Sequence, residues 1–91
     1  MKNFKADASA STRLDNRRRR RAAIDRYTAA ERALCENAIT EYAAGIDDET
    51  PEFGRVNREV HAAKRDVPAW RRALIDRRII RDLDYWNRTG Q

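Results

Sequence analysis

Scarcity bounds this chain before anything else does. It has one cysteine (Cys35), one histidine (His61), three glycines and two prolines among 91 residues. A single cysteine excludes an internal disulfide and fits a reducing, cytoplasmic setting. A lone histidine with no well-placed thiol leaves no zinc spacing, and no glycine pattern forms a phosphate-cradling loop. No nucleophile stands in a recognisable relation to a base. An enzyme is therefore not expected, nor a cofactor, a metal or a small-molecule substrate. No apolar run approaches the roughly 18 residues that a membrane span requires, and Met1–Thr12 lacks the apolar centre of a secretory signal. A membrane is not an expected partner.

Charge, by contrast, is abundant: 38% of residues are charged and the formal net charge is +5. Its distribution says more than its total. Residues 1–28 carry nine basic and three acidic side chains (net +6), residues 29–54 one and seven (net −6), and residues 55–91 ten and five (net +5). Of the twenty basic residues only Lys2, Lys5 and Lys64 are lysine. An arginine bias with much alanine can reflect base composition alone, but that explains a run of five, Arg17–Arg21, less well. A basic balance of this kind suits a nucleic acid or an acidic protein surface.

The chain reads as all-α. Between Ala22 and Ala44 there is no proline or glycine, and most residues are good helix formers. At about 100° per residue Ile24, Tyr27, Leu34, Cys35, Ala38, Ile39 and Tyr42 gather on one stripe, which predicts a buried face. Met1–Thr12 reads as a flexible tail. With Asp15 as cap, a long first helix covers about residues 16–44, and Gly45 suits the left-handed residue that ends it. Asp47, Asp48 and Glu49 form an acidic, solvated turn that lacks calcium-loop spacing. Thr50-Pro51 starts a second helix, residues 51–66, with a seam of Phe53, Val56, Val60, Ala63 and Val67. Asp66-Val67-Pro68 interrupts it, and a third helix follows at 68–88. The expected domain is therefore residues 13–91, three helices packed antiparallel, in the size range where a monomer buries little surface and a dimer is a natural outcome.

Two positions break the pattern. Glu31 projects into the apolar stripe, where a carboxylate needs either an arginine partner from helix 3 or an edge position open to water. Helix 3 is apolar on two sides: Ile75, Ile79, Leu83 and Trp86 lie on one face, while Trp70, Leu74 and Tyr85 lie roughly opposite among Arg77, Arg78 and Arg81. Either helix 3 is central and buries both faces, or the second face makes an interface.

For function, arginine's fixed fork of donors matches phosphate oxygens and guanine edges. Arg13 and Arg17–Arg21 are the expected nucleic-acid contacts, duplex DNA ahead of RNA, in a small regulatory or accessory factor. Arg77, Arg78 and Arg81 join them if helix 3 returns antiparallel to helix 1. Asn16 followed by arginines resembles the basic region of a leucine-zipper protein, but no leucine heptad follows and Gly45 ends the helix. A second docking mode uses helices 2 and 3 as a helix-turn-helix with Arg71, Arg72, Arg77 and Arg78 on DNA. The rival class is a protein-interaction module or homodimer anchored by Trp70, Leu74 and Tyr85, with an acidic protein as another partner.

Overall fold

Gly45 and Pro68 divide the chain into three helices: α1 (Lys2–Ala43), α2 (Pro51–Ala63) and α3 (Ala69–Thr89), with a single 3₁₀ turn at Lys64–Asp66 between the last two. The computed structural model describes the backbone of residues 2–89 and the side chains of residues 10–84, and no strand is found among them. The all-α expectation holds. Helix α1, however, is helical from Lys2, not from residue 16. The segment up to Asn16 has no proline or glycine and holds several alanines, so nothing interrupts a helix that propagates backwards from the packed part.

Each boundary has a local cause. Gly45 takes φ 73°; its N–H donates to the Tyr42 carbonyl (3.0 Å) and that of Ile46 to the Glu41 carbonyl (2.9 Å), which closes the α1 C-terminus. The Thr50 hydroxyl accepts from the Phe53 N–H (3.0 Å), with Pro51 in the first turn of α2. The last turn expected for α2 is tightened into the 3₁₀ turn before Pro68. The Arg72 guanidinium secures that corner by donating to the carbonyls of Lys64 (2.9 Å) and Val67 (3.0 Å).

The core is small. Tyr27, Ala30, Val60, Ala63 and Val67 form one buried cluster with Ala23, Leu34 and Ile75 packed on it, and Val56 and Ile79 are buried as well. The α2 seam is therefore real, with Phe53 half-buried. The α1 stripe is covered over only part of its length: Ile39 is 43% and Tyr42 87% exposed, because no helix crosses the end of α1.

Contacts set the helix directions. Arg26 and Glu41 of α1 meet Glu59 and Thr50, so the pairs run in opposite order along α1 and the α2 end. Tyr27 and Arg32 meet Asp76 and Asp82, so the pairs ascend together along α1 and α3. The molecule measures 66 × 30 × 19 Å, and its long axis matches α1, which spans about 63 Å at 1.5 Å per residue. The first half of α1 projects beyond the packed body.

Candidate nucleic-acid interface

The arginine run lies on this projecting rod. Every side chain from Ala10 to Ala22 is exposed, so this part of α1 is held by backbone hydrogen bonds and by continuity with the packed turns that follow. Successive residues 100° apart place Arg17–Arg21 around the whole circumference. Arg21 opens into a groove between α1 and α3 that also contains Arg71, Arg78, Leu74 and the Arg32–Asp82 pair. On the other side, Arg19 and Arg20 share a cleft with Arg26 and Asp66.

Few of these charges are neutralised. Arg21 pairs with Asp25 at 3.6 Å, with both side chains largely exposed (81% and 68%), a geometry worth little in water. Arg20 donates only to the Asn16 carbonyl at 3.5 Å. Arg17, Arg18 and Arg19 have no charged partner among the described residues. Firm pairs lie further along: Arg26 with Glu59 (2.8 Å), Arg32 with Asp82 (3.2 Å) and Arg55 with Glu52. Hydrogen bonding to Arg26 holds the Glu59 carboxyl below its usual range, and Arg55 does the same for Glu52.

Of the three α3 arginines expected to join the run, Arg78 lines the groove into which Arg21 opens, and Arg77 and Arg81 do not. Because α3 ascends alongside α1, Asp76 stands level with Tyr27 and Asp82 with Arg32, which puts the three arginines beside the packed half of α1. Arg71, at the start of α3, lines the same groove as Arg21. Chain direction decides this, and composition carries no signal for it. The helix-turn-helix arrangement also loses Arg72, whose guanidinium is committed to backbone carbonyls.

Helix α3 is not central. Ile79 is buried and Ile75 and Leu83 half-buried, whereas Trp70 (62%) and Leu74 (52%) are exposed, with Arg71 lying 4.9 Å over the Trp70 ring. The Tyr85 and Trp86 side chains lie outside the described residues.

Glu31 has neither of its expected settings in full. It is half-buried, and the group beside it is Tyr27, not an arginine. The buried Tyr27 hydroxyl donates to Asp76 Oδ1 at 2.8 Å, and burial followed by that hydrogen bond pushes its pKa well above the ordinary tyrosine value. Burial and then the Asp76 charge raise Glu31, partly offset by hydrogen bonding to Tyr27. Burial, Glu31 and Asp76 raise the Cys35 thiol in turn, so it is not an activated thiolate at neutral pH. Among the described residues no group of His, Cys, Asp and Glu could hold a metal ion, and no helix is long and apolar enough to cross a membrane. No protein-family model, curated protein or solved structure matches this chain.

Proposed function

We propose that this protein binds nucleic acid, duplex DNA ahead of RNA, through Arg13 and Arg17–Arg21 on the projecting half of α1, as a small accessory or regulatory factor and not as an enzyme. One observation carries the reading: five consecutive arginines on an exposed helix, with a single weak ion pair among them. An α-helix fits the DNA major groove, and a rod cationic all round meets phosphates on both walls of it. Arg71 and Arg78 add positive charge at the base of the rod. A cytoplasmic setting belongs to the same reading, on the strength of the lone Cys35.

Binding to duplex DNA and to RNA across a salt series tests it. Affinity falls steeply with salt, and replacing Arg17–Arg21 by Gln flattens the log–log slope by up to about 4.5, at about 0.9 for each phosphate no longer neutralised. An unchanged slope removes the proposal.

The exposed Trp70 and Leu74 favour a second reading, self-association through the outer face of α3 as a homodimer or interaction module. Light scattering tests this directly: Trp70→Ala lowers the mean mass while polyanion binding stays intact.

A further inference from the structure

The apolar centres of two exposed patches play no part in the nucleic-acid reading, and the patches are opposite in charge. The first is the outer face of α3, where Trp70 and Leu74 lie among the exposed Arg71, Arg77, Arg78 and Arg81. The second is the corner where α1 turns into α2. Tyr42 (87% exposed) and Ile46 (43%) line a shallow cleft there with Phe53, rimmed by Asp47, Asp48 and Glu49. Among the described residues none of Arg77, Arg78, Arg81, Asp47, Asp48 and Glu49 has an ion-pair partner.

The two patches cannot meet within one molecule. Asp82, next to Arg81, is held level with Arg32, and the ten residues from there to Tyr42 span about 15 Å of helix, beyond the reach of an arginine side chain. We infer that the acidic, aromatic corner of one copy receives the arginine-rimmed α3 face of a second copy, giving a head-to-tail self-association. Each patch offers what the other lacks. The corner supplies three unpaired carboxylates around an exposed tyrosine and isoleucine; the α3 face supplies three unpaired guanidinium groups around a tryptophan and a leucine. Aromatic and arginine side chains are the residue types that anchor protein interfaces, and the excess of opposite charge on the two patches orients the encounter. Since the patches differ, the contact is heterologous: each copy keeps a donor and an acceptor face free, so assembly proceeds to a ring or an open chain unless it is capped. The arginine rods then project from every copy.

This inference rests on the self-association reading and is independent of nucleic-acid binding, so it is tested without nucleic acid. Sedimentation equilibrium of the full chain shows mass rising with concentration, less so at high salt. Two variants separate the geometry. An acidic-corner variant (Asp47→Lys, Asp48→Lys, Glu49→Lys) and an α3-face variant (Arg77→Gln, Arg78→Gln, Arg81→Gln) are each monomeric alone, and their altered faces carry no opposite charges with which to meet one another. Mixed one to one, they form a dimer through the one intact face each retains, and growth stops there. All six positions are exposed, and circular dichroism confirms that each variant stays helical; should either lose its helix, Tyr42→Ala and Trp70→Ala replace them in the same mixing design. A monomeric wild-type chain overturns both this inference and the self-association reading. A self-associating wild type whose variants fail to complement, or still associate singly, overturns the head-to-tail contact alone. A wild-type chain that stays monomeric yet binds an acidic polypeptide assigns the α3 face to another partner and also overturns it.

Discussion

Ile79 and Val67 are the largest fully buried side chains, on a core of only a few residues. Ile79→Ala removes packing with little chance of collapse around it, at a cost of roughly 2–5 kcal/mol. Folded domains have only about 5–15 kcal/mol in total, so the thermal transition should fall sharply or vanish. Tyr27 carries a polar duty as well as bulk, since its hydroxyl is the donor facing Asp76. Tyr27→Phe keeps the ring and should cost about 1–3 kcal/mol in chemical denaturation, because Asp76 loses that partner. Glu31 works against stability when ionised. The folded state holds its proton more tightly than the unfolded chain does, so its contribution is most favourable below its ordinary value of 4.5 and is lost as pH rises through the raised value. Glu59 and Glu52, held low by exposed arginines, act with the opposite sign, so wild type and Glu31→Gln must be compared directly. The variant should gain stability at neutral pH and lose that advantage in acid; a gain equal at both ends would mean the carboxylate's charge is irrelevant.

At the scale of elements, the two halves of α1 have different support. Amides around Tyr27–Leu34 lie under α2 and α3, while those of Arg17–Arg21 lie on an exposed rod that meets the body only through clefts at its base and carries like charges at three- and four-residue spacing. Hydrogen exchange should therefore be fast in the run and slow around Tyr27, and duplex DNA should slow the run selectively. Two glycines give a control of opposite sign. Gly45 sits at φ +73° with open space where a Cβ would go, so Gly45→Ala costs about 1–2 kcal/mol from backbone conformation alone. Gly54 is inside α2 and an added Cβ would meet only the end of the Arg58 side chain at 3.4 Å, so Gly54→Ala should stabilise by about 0.5–1 kcal/mol.

For the whole molecule, shape and stability are linked. A compact chain of this length has a radius of gyration of about 12 Å; this one has 18.3 Å. The excess is mostly the unsupported rod, which spends chain length on reach at the expense of core. A ligand that binds only the folded state then shifts the equilibrium by mass action. Short duplex DNA should raise the thermal midpoint at low salt, the rise should fade as salt is added, and the five-fold Arg→Gln variant should show none of it.

How much of this was legible in the sequence divides along a physical line. Helix identity, the caps at Gly45 and Thr50-Pro51, the α2 seam and the exposed arginine run depend on interactions within a few residues, and propensity, capping chemistry and periodicity report those directly. Three features depend on what lies across space. The helical start of α1 at Lys2 needed the packed half of the helix to propagate from, the exposure of Ile39 and Tyr42 depended on where α2 and α3 end, and the placing of Arg78 in the groove beside Arg21, with Arg77 and Arg81 outside it, depended on α3 ascending beside α1. Glu31 belongs with them only in part: Tyr27, four residues earlier on the same helix, is its neighbour by spacing alone, whereas only packing brings Asp76 of α3 to the pair.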